Sequence, residues 1–540
     1  MKKRIALLLA LTLAVSLLSG CSGKQLDFSW FTSKFTGKTA EQVQAEQEAA
    51  AETTEPETTA VTTEVFSDIS SFGLAYQKSY GMHPYNCESL NNRCIISFLY
   101  EPLFVVSSTF QVWPVLASSY DVSSDGLTTT VSLRSGITFH DGSPLTAADV
   151  VYSLTASRGT TYYGSRLRRV SSIEATDTYT VTLTTDTAYE CLPLLLDIPI
   201  IKDGSADLPV PPGTGPYQYD EAGEQLVRNA GWWQNTAPIV DFDTISLTLV
   251  ETTAQVRDNF EYENVNMVLT DPNSAAFAGF HNDYELWDET SPIMQYIGYN
   301  ITSKVFSNYG LRSAITYAIN REHIVTDIMS GFAQPAVLPT VPQTTFYDAK
   351  LANTYDYNLS KFQQQLDNAS VEDMDHDGVL DLYVPSLGYA VSVSGTMIVC
   401  SSSYQRVEAA TEVVNTLNSL GFKLTLKTME LSEYQQALNT GNFDLYYGEV
   451  RLSSNFDLSP FFSVYGSLCY GGLDDSVMLN LCNQALANNG NSYNLYKRLC
   501  ERGYITPVLF KNLAVYTTRG SIAHPTDYVD WFLIPPDPKS

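Results

Sequence analysis

The sequence is short of positive charge: 31 Lys and Arg stand against 59 Asp and Glu, a formal net charge of −28 over 540 residues. A basic patch that tracks phosphates is the footprint of a nucleic-acid binder, and its absence excludes nucleic acid as a partner. The acidity reads as solubility and repulsion between copies, which favours a monomer. Only six His are present, at 83, 140, 281, 323, 376 and 524, scattered and without His-Glu-x-x-His or zinc-ligand spacing, and no Cys-x-x-Cys occurs; a metal centre of that kind is disfavoured. No Gly-x-Ser-x-Gly elbow is present, which argues against a hydrolase. Gly213 and Gly215 flank Thr214 without the Gly-Lys-Ser/Thr of a phosphate cradle, and they read as residues permitting positive φ in a tight loop. Beyond the first twenty residues no apolar run is long enough to span a bilayer.

What is present begins at the N-terminus. Lys2, Lys3 and Arg4 precede an apolar run from Ile5 to Leu18, then Ser19 and Gly20 lead into Cys21. This is the pattern of a secretory signal, too short to be a spanning helix. Leu18-Ser19-Gly20-Cys21 resembles the bacterial lipobox, which implies cleavage after residue 20, a lipid on Cys21, and a protein anchored to the cell membrane on its extracytoplasmic face. Residues 21–65 continue as a Lys-, Gln-, Glu-, Ala- and Thr-rich stretch with too little apolar surface to offset ordering entropy; they are expected to form a tether. Seven further cysteines, Cys87, Cys94, Cys191, Cys400, Cys469, Cys482 and Cys500, make an odd set for which disulfides and buried thiols both stay open.

From residue 66 on, length exceeds the roughly 250–300 residues of one hydrophobic core, so at least two lobes are expected. Tyr179, Val181 and Leu183 alternate with Thr, as do Ile245, Leu247 and Leu249 with Ser and Thr, reading as half-buried strands. Leu311, Ala314, Ile315 and Ala318 recur at helical spacing, as do Val407, Ala410, Val414 and Leu417 until Gly421, after which Phe422, Leu424 and Leu426 open a strand. Asp141-Gly142 supplies a turn, and Thr146 can cap a helix beginning near Ala147. Such alternation argues for α/β lobes.

Longer matches identify a family. Leu99-Tyr100-Glu101-Pro102-Leu103-Phe104, Leu133-Arg134-Ser135-Gly136-Ile137-Thr138-Phe139-His140-Asp141-Gly142, Pro212-Gly213-Thr214-Gly215-Pro216-Tyr217, Tyr317-Ala318-Ile319-Asn320-Arg321 and Gly441-Asn442-Phe443-Asp444-Leu445 together resemble family 5 extracellular solute-binding proteins. These are the oligopeptide-, dipeptide- and nickel-binding lipoproteins of ABC importers. The resemblance implies a two-lobed fold like that of periplasmic binding proteins (type II, large cluster with an extra subdomain), with mixed sheets and a hinge. Lobe I is then expected at 66–300 with a subdomain inserted at about 98–200, lobe II at 301–507, and a return to lobe I at 508–540. It further implies no enzyme activity, a solute (foremost a peptide) held between the lobes, and ABC permease and ATPase subunits as partners. Nickel or a metallophore, another small solute, and peptide-pheromone sensing with the same module are the alternatives.

In peptide-binding members an Asp just after the Gly-x-Phe-Asp strand meets the peptide amine, and here the segment reads Tyr446-Tyr447-Gly448-Glu449-Val450-Arg451, then Phe456-Asp457. Glu449 or Asp457 are candidates for the amine, and Arg451 for a carboxylate; alternatively Glu449 and Arg451 neutralise each other on one strand face. Tyr80, Tyr447 and Phe456 are candidate aromatic pocket residues, beside Gly448. Trp232 and Trp233 read as packing, and Arg312 and Arg321 as pairing with acids such as Glu322 and Asp327. No cofactor is expected, save a possible structural calcium at Asp373, Asp375, Asp377 and Asp381, whose alternating acids before Gly378 resemble half a calcium loop, with a solvated acidic turn as the other reading.

Overall fold

The computed structural model describes residues 69–234, 239–272, 280, 283–488, 491–522 and 528–531. The signal, Cys21 and the tether lie outside the described residues. An eleven-stranded mixed sheet organises the molecule. From one edge it runs through Lys423–Met429, Ser394–Cys400 and Leu445–Arg451 to two long central strands, Tyr284–Tyr299 and Ile505–Thr518, and on through Met267–Thr270, Phe72–Tyr76, Thr244–Leu249, Gln225–Arg228 and Tyr217–Asp220, while the eleventh strand, Ala333–Pro335, pairs with Ile505–Thr518 off this path. The chain crosses from the first half to the second along Tyr284–Tyr299 and returns, antiparallel, along Ile505–Thr518.

Two hydrophobic cores flank this crossing. Met294, Tyr296, Ile297, Val508, Leu509 and Phe510 belong to the second-half core, whereas Leu513 and Val515 belong to the first, with Ile293 and Trp287 packed on it. The change of core coincides with a register shift between Thr290 and Ile293, where the Ser291 hydroxyl donates to the Lys511 carbonyl (2.6 Å). A bulge bends a strand and re-aims its side chains, so the break between the cores lies several residues N-terminal to Tyr299 and C-terminal to Pro507.

The alternating segments form strands Thr180–Thr185 and Thr244–Leu249, and the helical ones form Tyr309–Ala318 and Tyr404–Ser419. Thr180–Thr185 joins Ala117–Val122, Thr128–Leu133 and Val170–Asp177 in a separate four-stranded antiparallel sheet, carried by the inserted segment. The helix Ala147–Ser157 packs on it, and its first turn is tied by Asp149, whose carboxylate accepts from both the Thr146 N–H and hydroxyl (2.8 Å each). The insert is not isolated from the second half: Phe110, Cys191 and Leu194 join the second-half core.

Two local readings are corrected. Gly213 and Gly215 do not adopt positive φ; a Cβ at Gly213 would lie 2.1 Å from the Leu99 carbonyl oxygen and one at Gly215 2.4 Å from that of Phe98, so close backbone approach is what requires glycine. Arg312 and Arg321 do not pair with Glu322 and Asp327. Both are buried and donate to backbone carbonyls, Arg312 to Phe306 (2.6 Å) and Gly503 (2.8 Å), Arg321 to Pro507 (2.9 Å) and Ala336 (3.1 Å), and the acid that Arg321 does face is Asp356 (3.6 Å). Loops with few backbone partners thereby have their carbonyls satisfied. All seven described cysteines are thiols outside any disulfide, and all but Cys469 are buried. Among the described residues no helix is long and apolar enough to cross a membrane.

Candidate functional site

A cavity of about 650 Å³ opens where the two halves and the insert meet, within the roughly 300–1,000 Å³ usual for small-molecule sites. Its walls come from far-separated parts of the chain. The helix Leu90–Leu99, started by Ser89 whose hydroxyl accepts the Asn92 N–H (3.3 Å), supplies Arg93, Cys94 and Ser97. Asp271 follows the strand Met267–Thr270, Ile293 and Lys511 stand on the two crossing strands beside the bulge, and Arg451 ends the strand Leu445–Arg451. Tyr162 comes from the insert, and Asp530 directly follows the strand Tyr528–Val529, which pairs with Phe104–Ser107.

The electrostatics resolve into two groups. Lys511, buried at the floor, contacts both the Asp271 carboxylate and that of Glu449 (3.4 Å). Burial pushes the Glu449 carboxyl upward, but the charges of Lys511 and Arg406 together with a hydrogen bond from Gln295 (2.9 Å) hold it below its ordinary value. In the second group Arg451 pairs with Asp530, and Arg166 with Asp197. The Tyr162 hydroxyl donates to Asp530 (3.2 Å) and Arg93 stacks on the Tyr162 ring at 3.5 Å. Burial raises the Asp530 carboxyl, yet Arg451, Arg93 and Arg166 outweigh it and keep the group ionised below the usual range.

Of the residues singled out in the sequence, Arg451 reaches the cavity wall. Glu449 stands one contact behind it, under Lys511; the two do not pair with each other, each having its own partner. Tyr447 is fully buried, its hydroxyl donating to the Gln295 side chain (3.1 Å), and Gly448 lies against the Tyr296 ring. Phe456, with φ of 52°, packs against Phe110, Phe346 and Phe510 in the second-half core. Asp457 accepts the Ser459 N–H (2.8 Å) and faces Arg168 (3.8 Å) and Arg169 (3.7 Å) of the insert, so it ties insert to second half. Tyr80 is exposed at the end of a short turn, Lys78–Tyr80, off the cavity wall.

Arg93, Lys511, Asp271 and Asp530 were missed. One signal was available: Arg93 is the single charged residue in the apolar helix Leu90–Leu99, and a lone cation there needs a reason. The others are brought in only by the tertiary fold.

The carboxylates of Asp373, Asp375 and Asp377 converge within 4.8 Å. Asp373 accepts the N–H groups of Asp377 (3.1 Å) and Gly378 (3.0 Å), and Asp377 accepts that of Val379 (2.8 Å). Asp381 is set apart at the start of a strand, accepting the Met374 N–H (3.1 Å). Elsewhere, Trp232 and Trp233 both donate their indole N–H to Glu101, at 3.1 and 2.9 Å.

A family profile described as bacterial extracellular solute-binding proteins, family 5 Middle, matches residues 111–469. The glutathione-binding protein GsiB of Salmonella typhi is 28% identical over 317 residues, 54% of this chain and 60% of that protein; the chain thus spans less than two thirds of that relative's length. The oligopeptide-binding protein AppA from Bacillus subtilis, solved with a nonapeptide, superposes with a TM-score of 0.57 at 21% identity, covering 83% of this chain and 94% of that one. NikA from Brucella suis, solved with Fe(III)-EDTA, gives a TM-score of 0.66 at 17% identity, covering 86% and 99%. At such identity these likenesses establish the two-lobed solute-binding fold alone.

Proposed function

Because the chain belongs to the bacterial extracellular solute-binding proteins of family 5, a binding-protein family, we propose that it captures a short peptide in the cavity between its halves and delivers it to an ABC importer. The observation that carries this reading is the placement of the cavity: both halves wall it, beside the bulge at which the cores change. A ligand touching both halves shifts the population toward the closed form by its differential affinity, and a permease that recognises the closed form then receives loaded protein. No covalent step is needed, and no cofactor enters the reading.

Peptide is favoured because the curated relatives are named for glutathione and AppA was solved with a peptide. A metal chelate is the second reading, supported by the Fe(III)-EDTA in NikA. Thermal melting of the purified protein with glutathione, tri-alanine, longer peptides, oligosaccharides and Fe(III)-EDTA tests it. Ligand at a hundred times its Kd adds about 2.7 kcal/mol, so a peptide at that excess should raise the Tm clearly. A rise with a chelate or sugar and with no peptide would refute the peptide reading.

The lipid on Cys21 and the tether to residue 65 belong to the same proposal: a monomer held on the outer face of the membrane beside its transporter. Cys21→Ser should release the protein from the membrane fraction; retention there would refute the anchor. Sensing of a peptide signal would use the same capture step with a different downstream partner, and loss of peptide uptake on deletion of this protein separates import from sensing.

A further inference from the structure

The cations around the cavity are not equivalent. Arg451 holds Asp530, Arg166 holds Asp197, and Lys511 holds Asp271 and Glu449. Arg93 alone among them has no carboxylate within 4 Å among the described residues. Its contacts are the Tyr163 hydroxyl, to which it donates at 3.2 Å, and the face of Tyr162 at 3.5 Å. Neither is an anion, and Asp530, whose field also reaches Arg93, is paired directly with Arg451. Stacking fixes the plane of the guanidinium while one hydrogen bond leaves most of its five donors uncommitted, and a planar fork so held matches a carboxylate bidentately.

We infer that Arg93 is the receptor for a carboxylate of the ligand, and that Arg451 is an internal ion pair completing the wall. The inference rests on the peptide reading and narrows it. The charged side chains that line the cavity are Arg93, Arg451, Lys511, Glu88, Asp271 and Asp530, and of the three cations Arg451 and Lys511 each hold a carboxylate of their own. A wall cation without an acid of its own complements a ligand that brings a carboxylate and disfavours one whose carboxylate is blocked. The ligand class is therefore a short peptide with a free carboxylate. Asp530 sets the strength of this preference, because it already occupies part of the positive field that the incoming carboxylate would otherwise have to itself.

Binding of tri-alanine and its C-terminal amide to the wild-type protein, Arg93→Gln and Arg93→Lys is the test, with sodium succinate as a carboxylate that is not a peptide. Circular dichroism and Tm without ligand establish that the variants fold. Amidation should weaken binding to the wild type roughly ten- to hundred-fold, the worth of a hydrogen-bonded charge pair. Arg93→Gln should bind acid and amide alike, and Arg93→Lys should keep part of the discrimination. If acid and amide bind the wild type equally, or Arg93→Gln still discriminates, Arg93 is not the receptor and the peptide reading stands without it. If no peptide binds in either form the peptide reading falls, and succinate decides Arg93 separately: a Tm rise in the wild type that Arg93→Gln loses supports the receptor, and no difference between them overturns it.

Discussion

Replacing Glu101 by Gln should flatten the acid side of the stability profile, and the size of the change follows from the site. The carboxyl is 1% exposed and is met by neutral donors, the Thr214 hydroxyl at 2.8 Å and the two Trp indoles. No cation pairs with it among the described residues. Burial therefore raises its pKa from 4.5 to about 7, with the hydrogen bonds limiting the rise. The folded state keeps a proton that the unfolded state gives up at lower pH. This contribution to stability is fully present below pH 4.5 and is lost as pH climbs through about 7. At about 1.4 kcal/mol per pH unit the loss across that window is about 3 kcal/mol. Gln does not titrate, so the stability difference between wild type and Glu101→Gln, read from urea unfolding, should fall by about 3 kcal/mol between pH 4.5 and 8 even though the amide also loses an acceptor. Parallel profiles, with a constant offset across that range, would refute the reasoning. The consequence reaches the cavity, because Glu101 follows the Leu90–Leu99 helix directly and the Gly215 N–H donates to the Leu99 carbonyl (3.1 Å) in the same junction.

Lys511→Met should cost about 3–5 kcal/mol at pH 7, since it leaves two carboxylates facing each other without their buried cation; thermal melting near pH 4 should recover part of the loss as Glu449 takes up a proton, and a loss independent of pH would contradict the pairing. Gly213→Ala should destabilise by at least about 2 kcal/mol through collision with the Leu99 carbonyl, whereas Gly136→Ala, at φ +82° with open space around it, should cost only about 1 kcal/mol of backbone strain; equal costs in urea unfolding would show that crowding at Gly213 is relieved by movement. Millimolar calcium should leave the Tm unchanged if the loop from Asp373 to Asp381 is an acidic turn whose carboxylates cap its own N–H groups, and a calcium-dependent rise would show that the converging carboxylates share a cation instead.

The residues that sequence determined are those whose roles are local or repeated. Period-two and helical spacing located Thr180–Thr185, Thr244–Leu249, Tyr309–Ala318 and Tyr404–Ser419, because the side chains that must be buried are fixed by backbone geometry within each segment. The motifs around Tyr100-Glu101-Pro102 and Pro212-Gly213-Thr214 marked the family because they meet in one close-packed junction, even though the glycines were there for approach and not for positive φ. The tertiary structure decided everything that depends on which distant segments meet. Glu449 and Arg451 are two residues apart, yet their partners, Lys511 and Asp530, lie sixty to eighty positions away and arrive by the return strand and the C-terminal pairing. Arg93 became the candidate receptor only when every neighbouring cation was seen to hold an acid. Charge pairing across a cavity carries no period and no fixed spacing in sequence, so only the fold could sort the paired cations from the one left for a ligand.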